Sequence, residues 1–160
     1  MHWVAELIIS ITTPVIAGTL VGLLTAGQAK VQYALIRKPI WSPPSWVFGL
    51  VWPILYALMG VAAWLVWRAP VKTDAERKLR KMGLILYVVQ LVVNLVWSFV
   101  YFSLGAKTAA LGVIIVLDIL VVTTAIMFGG VDPWAAGILI PYGLWLMVAT
   151  ALNASVVALN

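Results

Sequence analysis

Tryptophan is the residue type in this chain with most to offer chemistry, and it is concentrated. Trp41, Trp46 and Trp52 fall within residues 38–60, Lys-Pro-Ile-Trp-Ser-Pro-Pro-Ser-Trp-Val-Phe-Gly-Leu-Val-Trp-Pro-Ile-Leu-Tyr-Ala-Leu-Met-Gly. An indole offers a flat wall to a flat ligand, an N–H donor and a preference for the membrane interface. The usual catalytic groups are scarce. There is no cysteine, which excludes disulfides, iron–sulfur clusters and thiolate sites, and the one histidine is His2. No acid–base pair, nucleophile with its base or metal-ligand set can be assembled. Any reaction here must take its chemistry from a bound ligand, with the protein supplying position and redox-active indoles.

The remaining polar and aromatic residues fall into stripes. Tyr87, Gln90, Asn94, Trp97, Ser98 and Tyr101 recur at spacings of three and four, as do Tyr142, Trp145, Ala149 and Asn153. Gly49, Trp52, Tyr56 and Met59/Gly60 form a third stripe. On helices each set occupies one face. Two roles are open to such stripes: gluing helices together by interhelical hydrogen bonds, or walling a ligand pocket with indoles and a few orienting amides. Trp52, Trp97 and Trp145 are bulky to bury as packing alone, which favours the pocket. Asp118 stands alone, with structural pairing and a functional carboxylate as its alternatives.

The elements that must carry these stripes are membrane helices. Hydrophobic residues make up 64% of the 160 and charged residues 9%, against about 25% charged in average globular chains; mean hydropathy is +1.11. Uncharged stretches cover 7–29, 39–67, 82–106 and 133–160, and 108–131 is broken only by Asp118. Each is longer than the roughly 20 residues that cross a hydrocarbon core. Nothing alternates with the two-residue period of a barrel strand, so the spans are helical. The reading is an all-α integral membrane protein, a bundle of five transmembrane helices in a single domain, 1–160. Spans are expected at about 4–26, 44–67, 82–104, 108–128 and 134–157, with a lid-like loop at 27–43. The first span lacks a preceding basic residue and exceeds a signal peptide's apolar core, so it is expected to be retained.

Caps and breakers agree with that division. Thr73 with Glu76 reads as a capping box, Gly105-Ala106 as a tight turn, and Asp132-Pro133 as an N-cap followed by proline at the first helical position. Ser10, Pro14, Gly18 and Gly22 share a ridge that lets another helix approach, more readily within the bundle than in a dimer. Pro53 and Pro141 each free a carbonyl one turn earlier, and bends there would widen the bundle. The net charge of +5 does not indicate nucleic acid, because six of the ten basic residues flank the membrane between Arg68 and Lys81. Six basic residues on the N-terminal side against four on the other place the N-terminus in the cytoplasm by the positive-inside rule.

With these residues assembled, the chain resembles the TspO/MBR family, the translocator proteins, tryptophan-rich sensory proteins and peripheral-type benzodiazepine receptors. The matching elements are Lys38-Pro39-x-Trp41-x-Pro43-Pro44 and Val47-Phe48-x-x-Val51-Trp52-x-x-Leu55-Tyr56-x-Leu58-Met59-Gly60. They continue with Gln90-Leu91-x-x-Asn94-x-x-Trp97-Ser98 and Pro141-Tyr142-x-x-Trp145-x-x-x-Ala149-x-x-Leu152-Asn153.

The resemblance implies a prokaryotic member in a bacterial cell membrane, a homodimer, and a pocket beneath the first loop for protoporphyrin IX or another tetrapyrrole, held as a ligand and not as a cofactor. It implies that Trp52 and Trp145 match tryptophans tied to light-dependent porphyrin breakdown, and that Tyr33, Tyr56, Asn94, Trp97 and Ala149 match pocket-lining positions. Trp41, Pro43, Gln90, Ser98 and Tyr142 complete the expected ligand-binding set; no metal site is expected.

Two departures stand out. The tail from Asn153 to Asn160 lacks the tyrosine and basic residue of the sterol-recognition pattern, which Val31–Arg37 satisfies only loosely. Some bacterial relatives pair through small residues on the third helix; no glycine or alanine lies between Gly83 and Gly105 here. Three functions follow as expectations: a porphyrin-binding receptor for sensing, sequestration or transport, a light-dependent porphyrin-degrading enzyme, and a small-molecule transporter coupled through Asp118.

Overall fold

In the lipid interior a chain must satisfy its backbone within its own segments, and this chain does so with five long helices. The computed structural model describes residues 2–160. Helix α1 spans His2–Leu35, α2 Ser45–Arg68, α3 Asp74–Ser98, α4 Lys107–Gly129 and α5 Pro133–Leu159. All five are long and apolar enough to cross a membrane, and no strand occurs among the described residues. The protein is a multi-pass integral membrane protein. α1 packs on α2, α2 on α5, α5 on α4 and α4 on α3, and the end of α3 returns to α1 to close the ring.

The ends of the helices follow the local signals. The Thr73 hydroxyl accepts from the Glu76 N–H at 3.1 Å, and Glu76 Oε2 accepts from the Thr73 N–H at 3.1 Å. Asp132 Oδ1 accepts from the Trp134 N–H at 2.8 Å, with Pro133 at the first helical position. Gly105 takes φ +63° in the turn between α3 and α4, a left-handed conformation that only glycine adopts without penalty.

The structure corrects the first helix and the loop. α1 does not stop near residue 26; it continues to Leu35, and the connection to α2 is confined to residues 36–44. Tyr33, expected in a lid at 27–43, lies on the last turn of α1. Hydropathy falls at Gln28, Lys30 and Gln32, but Gln, Ala, Lys and Leu are good helix formers, so the helix runs on past the hydrocarbon. At 1.5 Å per residue α1 is roughly 50 Å long, against about 30 Å of hydrocarbon. α3 likewise starts at Asp74, well before its apolar stretch, because the capping box sets its origin in the aqueous loop.

Helices associate in lipid through close packing and not through hydrophobic exclusion, so small residues decide which faces meet. Ser10 Oγ donates to the Gly60 carbonyl at 2.8 Å. The carbonyl of Ser10, left without its helical donor by Pro14, lies against Gly60 where a Cβ would stand. One turn pair along, Gly18 is filled by the ring of Tyr56. Ser10 and Gly18 of the predicted ridge are therefore used inside the bundle, whereas Gly22 faces open space.

Gly60→Ala should accordingly force backbone from backbone and cost about 1–3 kcal/mol, the range for overpacked cores. Gly112→Ala, with nothing within 4 Å of its new Cβ, should be neutral or stabilising. Thermal unfolding of the two variants in one detergent checks the difference, and equal effects would show that the α1–α2 approach is not tight.

Candidate ligand-binding site

The stripes read from the sequence converge at the end of the bundle that carries the 36–44 connection. Tyr56, Asn94, Tyr142 and Gln90 form one buried chain of hydrogen bonds across α2, α3 and α5. The Tyr56 hydroxyl donates to Asn94 Oδ1 at 2.6 Å, Asn94 Nδ2 donates to the Tyr142 hydroxyl at 3.1 Å, and that hydroxyl donates to Gln90 Oε1 at 2.9 Å. Trp97 Nε1 donates to Asn153 Oδ1 at 3.3 Å, and Asn153 Nδ2 to the Lys107 carbonyl at 2.9 Å. Trp52 rests on this floor, its ring centroid 5.7 Å from Tyr56, 6.0 Å from Trp97 and 6.5 Å from Tyr142.

Two cavities of about 400 Å³ each stand on the floor and share Ala26, Ala29, Ser45, Phe48 and Phe102 as common walls. The first, under the connection, is closed by Tyr33, Trp97, Tyr101 and Ala149. The second is bounded by Gly22, Gly49, Trp52, Tyr56 and Ser98, and its exposed glycines and Pro53 open it sideways between α1 and α2. Each falls within the roughly 300–1,000 Å³ typical of small-molecule sites.

The other expected residues are placed differently. Gln90, Asn94 and Tyr142 lie in the floor network and in neither wall. Trp145 packs edge-on against Phe48, with centroids 5.6 Å apart, and its indole N–H is buried without a partner. Pro43 contributes a carbonyl that accepts from the Tyr33 hydroxyl at 2.8 Å. Trp41 is half exposed and lines neither cavity. Asp118 Oδ2 accepts from Thr150 Oγ1 at 2.8 Å between α4 and α5, outside both cavities.

Phe48, Tyr101 and Phe102 are walls that the expected set lacks. Phe48 lies four residues before Trp52, so its face was legible. Phe102 was not. α3 ends in a π-helical turn, Phe99–Ser103, closed by the Leu104 N–H on the Phe99 carbonyl at 3.2 Å. The extra residue per turn displaces the α-helical register and sets Tyr101 and Phe102 together in the wall, 4.8 Å apart and edge to face.

Residues 10–159 match the TspO/MBR family. The chain belongs to the TspO/MBR family. It is 32% identical to the tryptophan-rich protein TspO of Archaeoglobus fulgidus over 98% of both chains. It is 36% identical to the tryptophan-rich sensory protein of Cereibacter sphaeroides over 80% of this chain and 76% of that one. With the human translocator protein the identity is 35%, over 79% of this chain and 73% of the relative. In this TspO/MBR chain the tie across the connection is explicit. Asn160 at the end of α5 accepts from the Arg37 N–H at 2.9 Å and donates to the Arg37 carbonyl at 3.0 Å. The 36–44 segment is thus fastened at Pro43 to α1 and at Arg37 to α5. Among the described residues no three His, Cys, Asp or Glu side chains gather as a metal site.

Removing Asn94 tests whether the floor is a unit. Asn94→Leu leaves two buried tyrosine hydroxyls short of a partner and should cost about 1–3 kcal/mol. In a double-mutant cycle with Tyr142→Phe the two losses should be clearly less than additive; additive losses would mean that the hydroxyls find other partners.

Proposed function

We propose that this chain binds a porphyrin-class tetrapyrrole, of which protoporphyrin IX is the type, in the aromatic cavity beneath the 36–44 connection, in a bacterial cell membrane. The observation that carries the reading is the wall itself. Tyr33, Phe48, Trp97, Tyr101 and Phe102 surround one space, with the hydroxyl of Tyr33 and the amide of Asn153 as its polar fittings. A flat apolar macrocycle suits such a surface, since each aromatic contact adds about 0.5–1.5 kcal/mol beyond area burial. Family membership supports the same ligand class, and the relatives' names, sensory protein and translocator protein, support sensing or carriage as its use.

A second reading has an observation of its own. Trp52 stands in the wall of the adjoining cavity with Tyr56, Trp97 and Tyr142 within 6.5 Å between centroids. An indole so placed is an electron donor within reach of a light-excited ligand, which favours photochemical breakdown of bound porphyrin with dissolved dioxygen as the terminal oxidant. Coupling through Asp118 has no comparable support, because that carboxyl is engaged by Thr150 away from both cavities.

Titration of tryptophan fluorescence with protoporphyrin IX tests the binding reading. Trp52→Phe, in the wall of the adjoining cavity, should keep the fold and weaken binding by about 1–2 kcal/mol or less, as single aromatic contacts do. Trp145→Phe, which lines neither cavity and acts only through Phe48, should weaken it less. Light-driven loss of the bound porphyrin should fall much further in the same variants if the photochemical reading holds. Trp64 and Trp67, at the opposite end of α2, are the controls: Trp64 packs against Trp3 at 6.5 Å and Trp67 is exposed. Equal sensitivity at Trp64 and Trp52 would place the site at the wrong end of the bundle.

Iron should add nothing to affinity. Among the described residues the cavity walls hold no His, Cys or Met; of their phenols, that of Tyr33 is held by Pro43 and that of Tyr56 by Asn94, which leaves Tyr101 as the one oxygen ligand that iron could meet. Metal-free porphyrin is expected to bind at least as tightly as haem, and a bis-histidine or thiolate-type haem spectrum would contradict this site.

A further inference from the structure

Charge is divided unequally between the two ends of the bundle. Of the five acidic residues, Glu6, Asp74, Glu76 and Asp132 lie at the end that carries the N-terminus and Asp118 lies mid-span. The end that carries the cavity has no carboxylate side chain, and it holds Lys30, Arg37, Lys38 and Lys107. Among the described residues ion pairs form only at the opposite end, Arg68 with Glu6 and Arg77 with Asp74, each at 3.0 Å. The cations at the cavity end therefore have no side-chain carboxylate to pair with.

Two of them are placed in the same way. Lys38 Nζ lies 3.5 Å from the ring centroid of Tyr33 and donates to the Tyr33 carbonyl at 2.7 Å. Lys107 Nζ lies 3.8 Å from the ring centroid of Tyr101 and donates to the Tyr101 carbonyl at 2.6 Å. Both rings are walls of the first cavity, and Lys30 is itself a wall residue with an exposed side chain. A ring face and a backbone carbonyl hold each ammonium in position, and an ammonium has three donors, so donors remain for a ligand.

We propose that Lys30, Lys38 and Lys107 form a cationic rim on the aromatic cavity, which selects flat apolar ligands that carry carboxylates over neutral ligands of the same shape. The inference rests on the tetrapyrrole reading and gives it an orientation. The macrocycle enters among Phe48, Trp97 and Phe102, and its acidic edge stays at the level of the 36–44 connection. A carboxylate carried into hydrocarbon would lose its hydration without compensation. At the rim it exchanges water for charge-assisted hydrogen bonds, which are stronger than neutral ones.

The experiment compares protoporphyrin IX as the free diacid with its dimethyl ester, on the full chain in phosphatidylcholine nanodiscs, with empty nanodiscs correcting for partition into lipid. The wild type should prefer the diacid by about tenfold or more, and the acid-to-ester ratio should fall several-fold in Lys30→Glu, Lys38→Gln and Lys107→Gln. In the triple variant the ratio should approach one. Lys30→Glu reverses a charge on an exposed side chain and keeps the test valid if the two tyrosine-bound lysines prove necessary for folding. Equal affinity of diacid and ester for the wild type, or a loss in the variants that affects both forms alike, overturns the rim while the pocket stands. Failure of both forms to bind the wild type overturns the tetrapyrrole reading and the rim with it.

Discussion

Asn94 holds three helices to one another through a single carboxamide. It accepts from Tyr56 on α2 and donates to Tyr142 on α5, and Tyr142 passes the chain back to Gln90 on α3. All four residues are buried. Within hydrocarbon an unmade hydrogen bond has no water to fall back on, so the hydroxyls and amides must find each other or not be there. This requirement fixes the rotation of α2, α3 and α5 about their axes. Once those faces are set, Trp52 and Trp97 are stacked above the network and the space beyond them stays open.

That space is maintained by fastening its cover. The 36–44 connection is bonded to α1 through Tyr33 and Pro43 and to the end of α5 through Arg37 and Asn160. The aromatic residues thus divide by environment. Trp41, Trp46, Trp67 and Trp134 are exposed, where indole suits the interface. Trp52, Trp97 and Trp145 are turned inward, where all three have tyrosine or phenylalanine neighbours and Trp97 also has an amide to receive its N–H.

Much of the architecture was legible because membrane solvation is a severe constraint with a simple signature. Gaps between charges marked all five helices, and Thr73, Glu76, Gly105, Asp132 and Pro133 marked their ends by local hydrogen bonding that needs no tertiary partner. Residues 27–35 were misread for an instructive reason. Hydropathy reports where the hydrocarbon ends, and helix propensity reports where the helix ends; along α1 the two part company after Gly27. The π-turn at Phe99–Ser103 had no sequence mark at all, since its extra residue is accommodated by packing against α1 and α4.

By itself the sequence determined the solvent, the number of spans, the faces that had to point inward and the family, because each depends on residue type and spacing along one helix. Only the tertiary structure decided which members of a stripe became floor and which became wall. Gln90, Asn94 and Tyr142 carry the same spacing signature as Trp97 and Ala149, yet the first three close on one another while the last two face a cavity. Periodicity specifies a direction around a helix axis but not the distance to what lies there. The same limit hid the rim. Lys38 and Lys107 are far apart in the chain, and only the fold shows that each ammonium sits on a tyrosine of one cavity.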